Sequence, residues 1–197
     1  DLIKDGWLKT QKIIDAFRKI KRVDFLLALP TGKQEDLEEM AEFNEALSIG
    51  FDQTISQPLV VAFMLELLEP KQGDKILDIG SGSGWTTALL AEIIGEKGKV
   101  IAVEIIPELK EFGEKNAEKY GFVKKGIAEF ICGDGSKGCE KEAPFDKILA
   151  SASAERLPSA WRKQLRVGGR IVAPIENSIW LFVKTSEKNF EETEYTG

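Results

Sequence analysis

The sequence predicts an α/β fold: a doubly wound, mostly parallel sheet with an N-terminal helical extension. Three observations carry this. Residues 75–84, Lys-Ile-Leu-Asp-Ile-Gly-Ser-Gly-Ser-Gly, read as a buried strand entering a glycine loop. A helix pattern follows at once, with Ala88, Leu89, Ala91, Ile93 and Ile94 at its apolar positions. From Lys75 to Ser186 strand and helix patterns then alternate, which implies parallel strands joined by right-handed crossovers.

Taken in order, residues 10–20 place Ile13, Ile14, Phe17 and Ile20 on one helical face, with Thr10 as the N-cap. A second short helix is expected over 23–27, ended by Pro30-Thr31-Gly32. Residues 33–47 are acidic and helix-prone. Leu37, Met40, Ala41, Phe43 and Leu47 share one side, while Glu35, Asp36, Glu38 and Glu39 form a solvated face. This segment is expected to pack on the body, as a lid over a substrate groove. Residues 48–58 read as a polar loop, and Pro58 suits the first position of the helix that follows. Strands are expected over 75–79, 99–104, 128–132, 146–151, 170–175 and 179–185. Helices are expected over 85–95, 107–120 and 158–165. The last strand follows the turn Glu176-Asn177-Ser178 directly and should pair antiparallel. The polar tail over 187–197 is expected to be mobile. The chain thus reads as one domain over 1–197, with 1–58 the substrate-side extension and 59–197 the ligand-binding α/β core.

The 197 residues suffice for one α/β domain with a sizeable core. A net charge of −6 argues against a phosphate-backbone binder. No apolar run approaches the roughly 18 residues needed to span a bilayer, and the N-terminus lacks a signal-peptide pattern. Of the two cysteines, Cys132 lies in an apolar strand and should be buried, and Cys139 lies in a polar loop. Without histidine or a CxxC pair no metal site is expected. A reduced, cytoplasmic setting follows. The lack of histidine also excludes Ser-His-Asp and Cys-His catalysis.

The ligand is read from the loop. The NAD fingerprint is G-x-G-x-x-G, but here Gly80, Gly82 and Gly84 alternate and Trp85 takes the third NAD-type position. Asp78 stands just before the first glycine, where its charge would repel a pyrophosphate and suit an ammonium beside a hydroxylated ribose. Glu104 ends the next strand, 20 residues past Gly84, and lands beside the same crevice. The third strand ends in Gly133-Asp134-Gly135, where Asp134 could accept from an exocyclic amine. The combination resembles the S-adenosylmethionine site of the doubly wound methyltransferases. The plainer reading is a set of tight strand-to-helix turns.

Several segments together resemble the protein-L-isoaspartate O-methyltransferases: Thr54-Ile55-Ser56-Gln57-Pro58, the Asp78 to Gly84 loop, Gly133-Asp134-Gly135, Ala143-Pro144-Phe145-Asp146, and Gln164-Leu165-Arg166-Val167-Gly168-Gly169-Arg170. The resemblance spans nearly the whole chain and implies a Rossmann-like S-adenosylmethionine-dependent fold. It implies S-adenosyl-L-methionine as cofactor, S-adenosyl-L-homocysteine as product, and isoaspartyl and D-aspartyl sites of damaged proteins as substrates. A monomer is expected, acting without nucleic acid or membrane. Cofactor contacts fall on Gln53, Thr54, Ile55, Ser56, Asp78, Ile79, Gly80, Ser81, Gly82, Ser83, Gly84, Glu104, Ile105, Gly133, Asp134 and Gly135. Ser56 is the catalytic candidate, orienting the substrate carboxylate, with helix capping as the alternative role. The chain departs from the family in its acidic segment 33–47, in Ser151-Ala152-Ser153-Ala154, and in stopping at Gly197 where relatives add a further strand. Other readings are a methyltransferase for a small molecule, peptide precursor or RNA, and a non-catalytic binding domain.

Overall fold

The computed structural model describes residues 2–28 and 33–196. The stop expected at Pro30-Thr31-Gly32 lies outside them. The centre is a seven-stranded sheet in the order β5-β4-β3-β6-β7-β8-β9. Its strands are β3 (Lys75–Ile79), β4 (Lys99–Glu104), β5 (Ala128–Cys132), β6 (Phe145–Ala150), β7 (Leu165–Ile175), β8 (Ser178–Lys184) and β9 (Phe190–Thr196). The first four, with β7, run parallel; β8 pairs antiparallel with β7, and β9 antiparallel with β8. The order turns back on either side of β3, so the crevice above the carboxyl ends of β3 and β4 is where such sheets bind ligands.

β3 and β4 read as unbroken apolar runs because both faces are covered: Ile76, Leu77, Val100 and Ile101 are fully buried. One face packs on α3 (Pro58–Leu68), α4 (Trp85–Ile94), α5 (Pro107–Glu118) and the N-terminal layer. The other packs on α6 (Ser159–Gln164) around Phe145 and Trp161.

The tail departs from expectation. Phe190–Thr196 forms β9 along the whole of β8. Phe190 takes the Arg162 guanidinium over its ring at 4.8 Å, and Arg162 also pairs with Glu192 at 2.7 Å. Tyr195 meets Phe63 edge-on at 5.3 Å. Cys132 also departs: it is exposed, because β5 is an edge strand and its end faces solvent, whereas Cys139 is half-buried against the α6 core.

The N-terminal layer comprises α1 (Gln11–Lys19), a 3₁₀ turn at Arg22–Phe25, α2 (Gln34–Ala41) and a hairpin of β1 (Leu47–Gly50) and β2 (Gln53–Ile55). Thr10 is the N-cap residue, but its side chain does not cap. Instead the Glu66 carboxylate on α3 accepts from the N–H groups of Lys9 and Thr10 and from the Thr10 hydroxyl. α2 is shorter than expected. Leu37 and Ala41 are buried, Met40 is half-buried, and Phe43 is 47% exposed. The segment read as a loop is the hairpin, whose tip holds Phe51 and Asp52, both at φ 55°. Two non-glycine residues in the left-handed region cost roughly 1–2 kcal/mol each.

The glycine loop sits tightly on α5. A side chain on Gly84 would meet the Gly113 carbonyl at 2.7 Å, and one on Gly113 would meet the Gly82 carbonyl at 2.8 Å and Phe130 at 3.1 Å. Gly→Ala inside a helix ordinarily stabilises by up to about 1 kcal/mol. Gly113→Ala should do the reverse, lowering the denaturation midpoint and loosening residues 82–84, as urea unfolding and amide exchange of the loop would register.

Candidate active site

A cavity of about 370 Å³ opens above β3 and β4. Its floor is Ile79 and the loop Gly80-Ser81-Gly82-Ser83. One wall is Glu104, Ile105, Ile106 and Leu109, another is Asp134, Gly135 and Ser136, and a third is the 151–154 segment. The hairpin closes it with Ile49, Gln53, Thr54, Ile55 and Ser56. Of the expected site residues, thirteen therefore share one cavity. Asp78, Gly84 and Gly133 are not among the lining. Gly84 packs on α5, and Asp78 lies fully buried behind the loop.

The loop's donors are already used. Gly80 and Ser81 N–H donate to the Val103 carbonyl at 2.8 and 3.3 Å, and Gly84 N–H donates to the Ser81 carbonyl at 2.8 Å. Gly82 N–H donates to Glu104 Oε2 at 2.8 Å, while Glu104 Oε1 accepts from Ile106 N–H at 3.0 Å. Asn116 Nδ2 holds the Ser83 carbonyl at 3.0 Å. A phosphate cradle needs free N–H groups. This loop instead shows a carboxylate, so it suits hydroxyls and positive charge. The N–H groups of Gly80, Ser81, Gly82 and Gly84 are thus bonded within the protein.

Asp78 Oδ2 accepts from the Thr86 and Thr87 hydroxyls at 3.0 and 2.6 Å, and Oδ1 has no partner. Burial pushes its carboxyl up to about 6, against the lowering effect of the two hydroxyls, and Glu104 adds repulsion. Asp78 thus holds the start of α4. Asp134 is exposed and held below the usual range, chiefly by the Ser136 hydroxyl, which donates at 2.7 Å, and by Ser136 N–H. Ile105 is 66% exposed on the cavity wall, a flat apolar surface for a ring. Gly80 abuts Ala152: a Cβ there would lie 2.9 Å from the Ala152 methyl, so the small residues at 151–154 are needed where the two segments meet.

Ser56 is half-buried, and no cap is made by its hydroxyl. The N-cap of α3 is Gln57, and Asn44 Oδ1 accepts from Leu59 N–H at 2.9 Å. Sequence reasoning missed Trp85 as a wall residue, having read it only as a missing glycine. It also missed Arg22, which is 7% exposed and donates to the carbonyls of Ala41, Phe43, Glu45 and Ser56. Burial lowers the Arg22 guanidinium to about 10. No residue of α2 lines the cavity, but Leu37 and Ala41 pack on the body as expected, and the Ala41 carbonyl shares the Arg22 guanidinium with the Ser56 carbonyl.

Among known proteins, the family model described as protein-L-isoaspartate(D-aspartate) O-methyltransferase matches residues 1–196. A protein-L-isoaspartate O-methyltransferase of Methanopyrus kandleri is 37% identical over 196 residues, 98% of this chain and 83% of that one. A solved protein-L-isoaspartate O-methyltransferase superposes with a TM-score of 0.81 at 29% identity, over 99% of this chain and 62% of its own. A crystal structure from Plasmodium falciparum, named as a candidate for the same enzyme and holding S-adenosyl-L-homocysteine, gives 0.85 at 21% identity, over 99% of this chain and 91% of its own. That last likeness concerns the fold.

The position of Asp78 has a measurable consequence. Its folded carboxyl titrates above the unfolded value, so the folded state binds more protons between about pH 4 and 6, and the group costs stability as pH rises through that window. Asp78→Asn keeps an acceptor for the threonines without the charge. The variant's stability relative to the parent should therefore rise from pH 4 to 7, by up to about 3 kcal/mol, and level off above. Urea unfolding at pH 4.5 and 7.5 tests this, and a difference that shrinks with pH would refute it.

Proposed function

Because this chain belongs to the protein-L-isoaspartate(D-aspartate) O-methyltransferase family, we propose that it methylates the carboxylate of isoaspartyl and D-aspartyl residues in damaged proteins. The observation that carries the reading is the shared cavity. Thr54, Ile55 and Ser56 line the same cavity as Glu104 and the glycine loop. The N-terminal layer, residues 1–58, supplies the substrate side, and residues 59–197 the cofactor side.

S-adenosyl-L-methionine supplies a sulfonium methyl that a carboxylate can take without first losing a proton, leaving neutral S-adenosyl-L-homocysteine. The residues fit such a group. Glu104 uses one lone pair of each oxygen on an N–H and keeps others for ribose hydroxyls. Ile105 offers an apolar face for a ring, and Asp134 an acceptor for an exocyclic amine.

A substrate carboxylate near its free pKa of about 4 is already ionised at neutral pH, so a protein without histidine needs no base. Placement and exclusion of water remain, and these can supply on the order of 7–11 kcal/mol. Ser56 orients the carboxylate by one hydrogen bond from its hydroxyl. No Lys or Arg is among the described lining residues, so nothing there holds the carboxylate so firmly that it loses nucleophilicity. The same lack of cations, with the net charge of −6, disfavours RNA as substrate.

A methyl-transfer assay with paired isoaspartyl and aspartyl peptides tests the function, and turnover of neither would reject it. Ser56→Ala should slow single-turnover transfer roughly tenfold to a hundredfold, the worth of one hydrogen bond to a charged group. Affinity for S-adenosylhomocysteine and the melting temperature should hardly change. A lowered melting temperature at a normal rate would make Ser56 structural.

A further inference from the structure

The cavity that would receive the reacting carboxylate has Glu104 and Asp134 on its walls and no described Lys or Arg. A peptide carboxylate therefore gains little from entering it. Binding has to come from parts of the substrate that do not react. What surrounds the cavity mouth shows which parts.

The hairpin is continuous with the cavity wall: Ile49, Gln53, Thr54 and Ile55 line it. Its tip, Phe51-Asp52, stands outside the lining. A two-residue hairpin turn with positive φ at both positions ordinarily takes Asn-Gly or Asp-Gly. Here the first position is phenylalanine at φ 55°, a conformation that a bulky side chain adopts only when the surroundings enforce it. The register slips between Ser48 and Gly50, which re-aims the tip, and Gln53 Nε2 donates to the Phe51 carbonyl at 3.3 Å. Strain of this kind collects at ligand-contacting sites. The ring it presents is not used in folding, since Phe51 is 55% exposed. Leu27 lies against the same hairpin, its Cδ1 3.4 Å from where a Gly50 side chain would begin, and is 43% exposed. Phe51 at the tip and Leu27 against Gly50 are thus two exposed apolar side chains on or against the hairpin that walls a cavity with no described Lys or Arg.

We infer that the exposed Phe51 ring at the tip of the hairpin that Leu27 packs against receives an apolar side chain flanking the isoaspartyl residue, and so sets which damaged sites are methylated first. This rests on the proposed function and adds the sequence preference. Phe51 touches the neighbour of the reacting residue, not the carboxylate or the cofactor.

The test uses two isoaspartyl peptides alike except for leucine or glycine on either side of the isoaspartyl residue. The unaltered protein should favour the leucine peptide in kcat/KM by roughly tenfold, the scale of discrimination by an apolar contact. Phe51→Asn keeps the turn, because asparagine tolerates positive φ. It should bring that ratio to within about twofold, losing most on the leucine peptide. Anisotropy of labelled peptides with S-adenosylhomocysteine present should show the same collapse in affinity, and calorimetry should show unchanged S-adenosylhomocysteine binding. Equal losses on both peptides, or an undiminished leucine preference, would overturn the assignment. Turnover of neither peptide by the unaltered protein would overturn the function itself, and a preference absent from the start would overturn only this contact.

Discussion

The Glu104 carboxylate is the point on which the site hangs. It ends β4, is 6% exposed, and spans the Gly82 and Ile106 N–H groups. One side chain thereby ties the glycine loop to the start of α5. Charge-assisted bonds of this type are stronger than neutral ones, and the Gly80 and Ser81 N–H bonds to the Val103 carbonyl add to this one. Gly113 lets α5 approach the loop from below, and Asn116 on the same helix holds the Ser83 carbonyl. Loop, strand end and helix are therefore tied together by side-chain bonds and close packing within the protein itself.

The N-terminal layer depends on a different device. Arg22 is a buried guanidinium whose four recorded partners are carbonyls, with the Trp85 ring at 5.4 Å. Taking that charge out of water is costly, which is why its pKa falls. What the arrangement yields is geometry. The end of α2, the segment leading to β1, and Ser56 all meet at one rigid planar group. Trp85 joins this layer to the glycine-loop side of the cavity, since it lines the cavity and opens α4. The position of Ser56 is thus fixed through its backbone carbonyl, leaving its hydroxyl for other work.

Most of the core was legible in the sequence because its signals are redundant. In β3 and β4, apolar runs, a glycine loop and strand-end carboxylates all agree. Three features were hidden, each for a physical reason. The β1–β2 hairpin alternates only briefly and lacks the Asn-Gly that marks such turns. β9 carries Glu191, Glu192 and Glu194, so polarity masked a strand whose order comes from Phe190 and Tyr195 packing across the chain. Arg22 follows Lys19 and Lys21 in a basic stretch, and nothing local distinguishes a guanidinium that will be buried from one that will be solvated. At the site, residue types were legible but roles were not. Asp78 carries the expected charge motif yet faces Thr86 and Thr87, because it alternates with Ile79 along β3 and points away from the cavity floor.

The charge pattern also orders events. Glu104 and Asp134 stand on the cavity walls and Asp78 lies behind the loop, with no described Lys or Arg among the lining. A carboxylate approaching this cavity alone meets like charge in a partly enclosed space, where Coulomb terms are less screened than in water. A cationic ligand reverses that field, so the peptide carboxylate is best received once the sulfonium is in place. After transfer the charge is gone from both partners, and the walls no longer favour retaining either. Under the proposed function, binding order and product release thus follow from the same carboxylates that position the loop.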